Sequence, residues 1–389
     1  MPTPATEQSL RIEKLVYGGD GLARVDSRVI LTPFVLPGEL VRARVQRAKN
    51  DLLRGRLVEV LEPSAERVEP ACPYFLRCGG CHYQQGSYEF EAEQKRSILR
   101  EVLRRVGHIN YDGEIGLVTA EPWGYRNRTQ LHIHSGAIGY FAAGSRTLVP
   151  IRECPISSPK LNQAIASLAR DLPGYRWFDA SIELFTNESE IQVNLLDRVP
   201  NSVQALFQAI GTNQPIEYGG FRVSRNSFFQ VNRFLLEKLV AVVLGDVRGV
   251  TAVDLYAGAG LFAKGLAERF SYVTAVESGS SAFRDLEFNM QGHPVESVRA
   301  NAEDYLASLA APPDLIVADP PRAGLGKTAI RELIRLQPPQ VTIVSCDPAT
   351  LARDLAPLIA SGYRIGAIAF VDLFPRTFHL ETVVSLHKN

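Results

Sequence analysis

The stretch Val253-Asp254-Leu255-Tyr256-Ala257-Gly258-Ala259-Gly260 decides the fold of this 389-residue chain. It is a short apolar run that ends in a glycine turn, and a helical pattern follows from residue 261. Gly258 and Gly260 permit a tight turn and a close approach of the backbone to a ligand. Glu277 ends the next apolar run, where a carboxylate can accept hydrogen bonds from both hydroxyls of a ribose. The stretch therefore predicts a nucleoside-binding site.

From about residue 227, helical patterns alternate with short apolar runs. The predicted helices cover 229–244, 261–269, 279–292, 326–336 and 348–361. The predicted strands cover 252–256, 272–276, 315–318 and 342–345, with a closing pair at 364–371 and 381–386. This alternation is typical of βαβ units and predicts a doubly wound, Rossmann-like α/β domain with a parallel sheet.

The rest of the chain is predicted to form two smaller domains. Several short strands with glycine-rich turns between residues 10 and 62 fit a small β-barrel. Alternating patterns over 115–225 predict a β-rich central domain, and helices are predicted near 89–106 and 158–171. The expected domains are a barrel over 1–65, a central domain over 66–226 and the Rossmann-like domain over 227–389.

Composition excludes several classes of protein. Apolar residues make up 46% of the chain, and 42 basic residues balance 42 acidic ones. This composition is that of a globular protein, and its net charge excludes a polybasic tail but not nucleic-acid binding by a local basic surface. No apolar run approaches a membrane span, and the first residues lack the apolar core of a signal peptide. We therefore expect a cytoplasmic protein without a membrane partner.

Basic side chains concentrate on the last two strands of the predicted barrel. The segment from residue 42 to 56 has one acid, Asp51, against six basic residues: Arg42, Arg44, Arg47, Lys49, Arg54 and Arg56. Alternation along a strand places Arg42 and Arg44 on one face. This pattern fits a solvated edge strand and a phosphate-contacting face equally well.

Two further motifs follow strands of the Rossmann-like domain. Asp319-Pro320-Pro321-Arg322 ends the run 315–318, and Cys346 ends the run 342–345. Ligands bind outside the carboxyl ends of the strands in open α/β sheets, so we expect both motifs in one crevice. A lone cysteine is more often an inert buried side chain, but one in such a crevice is a candidate nucleophile. Glu381, near the start of the closing strand, is a candidate base through its partnership with Cys346.

The remaining four cysteines form a separate group. Cys72, Cys78 and Cys81 share one loop, and Cys154 follows later. Four cysteines in an intracellular protein favour a metal site over disulfides. The three-plus-one spacing favours a [4Fe-4S] cluster with a structural role, and a zinc site is the alternative.

With these motifs, nearly the whole chain resembles the family of RNA uracil-C5 methyltransferases. Gly18-Gly19-Asp20-Gly21-Leu22-Ala23-Arg24 and Leu36-Pro37-Gly38-Glu39 resemble a TRAM domain, an RNA-binding module. Tyr125-Arg126-Asn127-Arg128 and Ser227-Phe228-Phe229-Gln230-Val231-Asn232 resemble the stretches of that family that contact substrate and cofactor. The resemblance implies methyl transfer from S-adenosylmethionine to C5 of a uridine in RNA.

The resemblance also implies roles for individual residues. Cys346 would be the nucleophile that adds to C6 of uracil, and Glu381 the base that removes the C5 proton. Residues expected to bind S-adenosylmethionine are Gln230, Tyr256, Gly258, Glu277 and Asp319. Residues expected to contact RNA are Arg126, Arg128 and Phe228. The expected cluster ligands are Cys72, Cys78, Cys81 and Cys154.

The complete cysteine set and the TRAM domain favour 23S ribosomal RNA as the substrate, with transfer RNA as the alternative. Methylation of an exocyclic amine also uses an Asp-Pro-Pro turn, but it needs no thiol at Cys346. A catalytically inactive RNA-binding or assembly protein and a redox sensor are further alternatives. Asp347 follows the nucleophile where many family members have Asn, which leaves the stabilisation of a thiolate open.

Overall fold

A computed structural model describes residues 6–47 and 52–388. Lys49 and Asp51 of the predicted basic segment therefore lie outside the described residues. The chain divides into two compact units. The first comprises Met1–Leu99, Tyr140–Val149 and Phe374–His379, and the second comprises Arg100–Gly139, Pro150–Leu373 and Leu380–Asn389. The division into three domains stays a prediction.

The first unit begins with a six-stranded sheet in the order β1-β5-β6-β4-β3-β2. Its strands are β1 (Thr6–Arg11), β2 (Lys14–Leu15), β3 (Asp20–Val25), β4 (Arg28–Pro33), β5 (Leu40–Arg47) and β6 (Leu53–Glu62). Alternate residues of β5 are buried, and Val41 and Ala43 pack into an apolar core with Leu10 and Ile30. Burial of this face fixes the register, because a slip of one residue would turn the apolar side chains to solvent.

The arginines on the outer face of this sheet are largely paired with acids. Arg44 contacts Glu7 at 2.7 Å, and Arg54 contacts Asp20 at 2.7 Å. Arg42 forms an ion pair with Glu59 on the neighbouring strand. Sequence counting missed these acids because they come from other strands. The face therefore has far less excess positive charge than the segment 42–56 suggests.

The first unit also contains the start of α1 (Tyr88–Val106) and the loop Phe374–His379. Glu91 on α1 accepts a hydrogen bond from the backbone N–H of Arg376 at 2.7 Å. Lys95 forms an ion pair with Glu91 at 2.7 Å and donates to the carbonyl of Phe374 at 3.1 Å. Both Lys95 and Glu91 are buried, so their pairing is what makes their burial tolerable.

The second unit is built on an eight-stranded sheet in the order β17-β16-β15-β18-β19-β21-β20-β7. Its strands are β7 (Ile115–Val118), β15 (Gly249–Leu255), β16 (Phe270–Val276), β17 (Val295–Val298), β18 (Leu315–Ala318), β19 (Gln340–Ser345), β20 (Tyr363–Val371) and β21 (Glu381–Lys388). The order reverses between β15 and β18, so a ligand crevice is expected at their carboxyl ends. β18 is buried throughout, as helices on both faces of a parallel sheet require.

Four of the helices that accompany this sheet begin within one residue of their predicted starts, whereas the helix predicted over 229–244 begins later and the helix Ala302–Ser308 was not predicted. The helices are α4 (Leu236–Leu244), α5 (Leu261–Leu266), α6 (Ser280–Asn289), α7 (Ala302–Ser308), α8 (Gly326–Leu336) and α9 (Pro348–Ala360). The helix predicted to begin at 229 begins at Leu236 instead. Residues 227–232 are not helical, because the backbone N–H of Asn127 donates to the carbonyl of Val231 and that of Arg233 donates to the carbonyl of Tyr125, and a turn at 233–235 leads into the helix.

The rest of the second unit is the β-rich part that the sequence predicted. Its elements are β8 (Arg128–His134), β11 (Ala180–Thr186) and β12 (Ile191–Leu195), α2 (Pro159–Asp171) and α3 (Asn201–Ile210), and the hairpin of β13 (Ile216–Tyr218) and β14 (Phe221–Val223). The strand β9 (Ala137–Phe141) pairs with β8, and the segment Tyr140–Val149, which includes most of β10 (Leu148–Pro150), belongs to the first unit. Among the described residues, no helix has both the length and the apolar character to cross a membrane.

Candidate active site

Three predicted site residues each follow the last residue of a strand, on three neighbouring strands of the sheet. Leu255 pairs with both Val276 and Ala318, so Tyr256, Glu277 and Asp319 emerge side by side at the reversal point. Tyr256 has a φ of 61°, a left-handed conformation that is rare for a residue with a side chain. The chain therefore turns sharply where the strand ends, and it opens the crevice that the glycine turn lines.

Glu277, the residue predicted to bind the ribose hydroxyls, also holds the glycine turn in place. Glu277 accepts a hydrogen bond from the backbone N–H of Gly258 at 2.9 Å and another from Gly279 at 2.5 Å. Gly258 and Gly260 have φ values of 57° and 96°. A Cβ at Gly260 would lie 2.8 Å from the Met290 side chain, so the turn cannot accept a larger residue.

The antiparallel pairing of β19 with β21 brings Cys346 and Glu381 together. Ser345 pairs with Thr382, and Cys346 and Glu381 are the adjacent residues on the two strands. Burial raises the pKa of the Cys346 thiol to about 11, and the negative charges of Glu381 and Asp319 add to this effect. The Arg322 guanidinium acts in the opposite direction on the same thiol pKa. Arg322, the residue after the Asp-Pro-Pro turn, is thus an electrostatic member of the site.

Two carboxyl groups of the site are largely shielded from solvent: Glu381 is buried and Asp319 is half-buried. Burial raises the pKa of Asp319 to about 7. Burial also raises the pKa of Glu381 well above its ordinary range, and the charge of Asp319 contributes. Two carboxylates and a thiolate in one dry crevice cannot all be ionised at low cost. The site therefore opposes the simultaneous ionisation of these three groups and favours a cationic ligand.

Asp347 has a structural role next to the cysteine. Its Oδ1 accepts hydrogen bonds from the backbone N–H groups of Ala349 at 3.0 Å and Thr350 at 2.8 Å, which caps α9. Asn would cap equally well. The departure from the family pattern at this position is therefore compatible with the local fold.

The predicted RNA-contacting residues differ in exposure. Phe228 is 59% exposed, and its carbonyl oxygen lies 4.0 Å from the position a Cβ would take at Gly258. Gln230, two residues on, is buried. Arg128 is buried too, donates to the carbonyl of Ser227 at 2.7 Å and stacks on the Phe185 ring. In this structure Arg128 supports the loop that carries Phe228, while Arg126 is half-buried beside it.

The predicted cluster cysteines are unbridged and partly exposed. Cys72, Cys78 and Cys81 lie in one loop of the first unit, where Cys72 donates its N–H to Gln84. Cys154 lies in the second unit, where Asn162 accepts its N–H at 2.8 Å. Across residues 6–47 and 52–388, no group of three or more His, Cys, Asp or Glu side chains is arranged to hold a metal ion.

Two family models match the two ends of this chain, and related proteins match nearly its whole length. The family model described as tRNA (uracil-5-)-methyltransferase matches residues 212–389, and the TRAM domain model matches residues 3–58. An uncharacterized RNA methyltransferase of Thermosynechococcus vestitus is 30% identical, with 97% of each chain covered. One from Aquifex aeolicus is 29% identical, again with 97% of each covered.

A solved structure agrees with these matches. The tRNA (uracil-54, C5)-methyltransferase of Pyrococcus abyssi, solved in complex with S-adenosyl-L-homocysteine, superposes with a TM-score of 0.78 at 26% identity. The match covers 97% of this chain and 100% of the other. The chain belongs to a family of RNA methyltransferases, and its residues 212–389 match the tRNA (uracil-5-)-methyltransferase domain. It is an enzyme, and its N-terminal strands form a TRAM domain, as the sequence predicted.

Helix α6 of the enzyme carries two residues that sequence reasoning missed. Asp285 is fully buried and accepts hydrogen bonds from the N–H of Ser224 at 2.7 Å, the Oγ of Ser224 at 2.6 Å and the Oγ of Ser227 at 2.7 Å. One turn later, Asn289 exchanges hydrogen bonds with the backbone of Arg222 and donates to the carbonyl of Ala259 at 2.9 Å. One helix face thus ties the glycine turn to the segment that leads into Phe228 and Gln230.

Replacing Asp285 tests this positioning role. We expect Asp285→Ala to raise KM for S-adenosylmethionine and lower kcat, together about tenfold or more, because three hydroxyl and amide donors lose a charged acceptor. Asp285→Asn keeps part of the acceptor capacity and is expected to recover part of the loss. Steady-state kinetics with each substrate varied measures both constants. The matched control is Glu287→Ala, an exposed acid on the same helix. Equal kinetics for Asp285→Ala and this control would refute the role.

The raised pKa of the Asp319 carboxyl predicts a pH-dependent cost to stability. Because its pKa is raised to about 7 in the folded protein, its contribution to stability is present below pH 4 and is lost as pH rises towards 7. Asp319→Asn cannot ionise, so it removes this loss of stability at high pH. We therefore expect the unliganded variant to unfold at least about 2 °C above wild type at pH 8, with the difference vanishing near pH 4.

The control for this prediction is Asp314→Asn. Hydrogen bonds from the backbone of Thr251 and Val250 lower the pKa of Asp314, so its contribution has the opposite sign. It is present above the ordinary pKa and lost as pH falls, and the substitution should lower the unfolding temperature at pH 8. Differential scanning calorimetry without ligand measures both variants. A lower unfolding temperature for Asp319→Asn at pH 8 would contradict the argument.

Proposed function

We propose that the enzyme transfers a methyl group from S-adenosylmethionine to C5 of a uridine in RNA through a covalent adduct with Cys346. The observation that carries this proposal is the strand register that places Cys346 beside Glu381. The same crevice holds Asp319 and the glycine turn, which is where open α/β sheets bind nucleosides. The product-bound tRNA methyltransferase of Pyrococcus abyssi supports S-adenosylmethionine as the methyl donor.

The proposed reaction has three steps, and each bond that forms is matched by one that breaks. The Cys346 thiol gives its proton to a solvent water, and its sulfur forms a bond to C6 of uracil while the C5–C6 electrons move onto the O4 enolate. C5 of the enolate then attacks the methyl carbon, and the methyl–sulfur bond of the sulfonium breaks. Glu381 takes the C5 proton, the C5–C6 double bond re-forms, and the thiolate leaves.

Electrostatics define what each group contributes. With a thiol pKa of about 11 in the unliganded enzyme, Cys346 is protonated at neutral pH. Arg322 lowers that pKa and is proposed to stabilise the thiolate during addition. Glu381 has a raised pKa, which makes it a stronger base when ionised. Phe228, exposed beside the glycine turn, is proposed to stack on the extruded uracil.

The RNA substrate is proposed to be 23S ribosomal RNA, on the strength of the cysteine set and the TRAM domain. A uridine in transfer RNA is the second candidate. The overall similarity to a transfer RNA enzyme from Pyrococcus abyssi favours it. An RNA substrate also supports the expected cytoplasmic location. The intact pair of Cys346 and Glu381 argues against an inactive assembly protein.

We also propose that Cys72, Cys78, Cys81 and Cys154 hold a [4Fe-4S] cluster. Four unbridged thiols are the right donors for it, which supports the proposal. The arrangement of the described side chains does not fit a preformed metal site, so no catalytic step depends on the cluster. Protein prepared without oxygen is expected to contain four iron and four sulfide ions, and Cys81→Ser to lose them. Stoichiometric zinc in their place would contradict the proposal.

Substitution of the two catalytic residues tests the covalent mechanism. We expect Cys346→Ala to bind S-adenosylmethionine but lose more than about 10³-fold in kcat, because C5 alone is a poor nucleophile. Glu381→Gln is expected to accumulate a protein–RNA adduct that resists denaturing electrophoresis, since the thiolate cannot leave while C5 keeps its proton. Asp347→Asn, an acid-to-amide control beside the cysteine, should keep turnover. Normal methyl transfer by Cys346→Ala would exclude the adduct.

The substrate is identified by mass spectrometry of nucleosides. Ribosomal and transfer RNA are separated from cells with and without the gene. Loss of 5-methyluridine from ribosomal RNA alone supports the proposed substrate, and loss from transfer RNA alone supports the second candidate. Purified enzyme that methylates neither RNA at uridine C5 would refute the function.

A further inference from the structure

A groove of about 300 Å³ lies beside the loop that leads to Phe228. Its floor is apolar and comes from β12 and α3, including Val193 and Phe207. Its rim is polar, and it consists of Gln204, Gln208, Asn213 and Arg225. No part of the candidate active site lines this groove, and the roles assigned above leave it without a function.

The rim offers hydrogen-bonding groups but no acid. Gln204 donates its amide N–H to Asn201 at 2.9 Å, which leaves its oxygen as an acceptor. Asn213 accepts from Gln214 at 2.9 Å, which leaves its amide N–H groups as donors. The acceptor and the donor can form hydrogen bonds with the edge of an unpaired nucleobase, and the apolar floor can contact its face.

Arg225 gives the groove its charge. It is exposed, and it has no carboxylate partner in the described part of the chain. Its neighbours differ, because Arg222 lies 3.5 Å from Asp285 and Arg233 lies 3.5 Å from Glu188. An exposed guanidinium without an acid partner beside a neutral groove is suited to a phosphate.

The groove is close to the proposed target base. Arg225 precedes Phe228 by three residues, so their Cα atoms are at most about 10 Å apart. The segment between them is fixed, because Ser281 donates to the carbonyl of Arg225 at 2.8 Å and Asn194 donates to Asn226 at 2.9 Å. A few nucleotides of one RNA strand span this distance.

We propose that this groove binds an unpaired nucleotide of the substrate RNA that flanks the methylated uridine. Gln204, Gln208 and Asn213 contact the edge of its base, and Arg225 contacts its phosphate. The groove then contributes to the choice of uridine, since only an RNA with an unpaired nucleotide at the right separation fills both sites. This inference rests on the proposed function.

Binding and kinetics of groove variants test the inference. The probe is a fluorescently labelled, unmodified RNA fragment that the wild-type enzyme methylates. Arg225→Ala is expected to raise its Kd about tenfold at low salt and to flatten the slope of log Kd against log salt by about 0.7. KM for S-adenosylmethionine and the unfolding temperature should not change. Arg284→Ala, which removes another exposed arginine, is the matched control.

A second variant tests base recognition. The wild-type enzyme is compared with Gln204→Ala/Asn213→Ala on fragments that differ at single nucleotides flanking the target. We expect wild type to prefer one base at one flanking position, and the double variant to lose about five- to tenfold of that preference. A preference that the double variant retains in full would overturn the inference, as would an Arg225→Ala salt slope equal to that of Arg284→Ala. Failure of the proposed function is separate, because wild type would then methylate no fragment.

Discussion

The active site depends on the insertion of β21 between β19 and β20. A parallel strand in that position would place the start of β21 at the opposite edge of the sheet. Because β21 runs antiparallel, its first residue, Glu381, lies beside Cys346 at the end of β19. Hydrogen bonds of a buried sheet are costly to break, so the distance between the proposed nucleophile and the proposed base is set by the most rigid part of the domain.

The same crevice shows a conflict between stability and function. Burial raises the pKa of Asp319, Glu381 and Cys346, which means that desolvation opposes their charged forms. An apolar core would fold at lower cost. A sulfonium ligand carries positive charge, and its presence near Asp319 would favour the carboxylate. The acids therefore make the empty site unfavourable and the occupied site selective for a cation.

Sequence reasoning succeeded where local pattern and tertiary structure agree. The buried run 315–318 is β18 without any shift, because a run of only four apolar residues flanked by prolines is too short for a helix and fits a buried strand. Sequence reasoning failed where contacts between residues far apart in the chain determine the local structure. The predicted helix starts at 229, yet Asn127 and Tyr125 form backbone hydrogen bonds with Val231 and Arg233, and the helix begins only at Leu236. Asp285 and Asn289 gave no signal at all, since a single acid or amide on a helix is usually exposed.

The distribution of arginines explains how a chain with no net charge can bind RNA. In the TRAM sheet, Arg42, Arg44 and Arg54 each have a carboxylate within contact, so that sheet adds little long-range attraction for phosphates. Exposed pairs of this kind contribute at most about 1 kcal/mol, so a phosphate can replace the acid at close range. A basic side chain that has no acid partner attracts a phosphate without displacing a carboxylate. Arg225 in the second unit is such a side chain. Recognition by this enzyme is therefore expected to depend on contacts near the target uridine more than on the total charge of its surface.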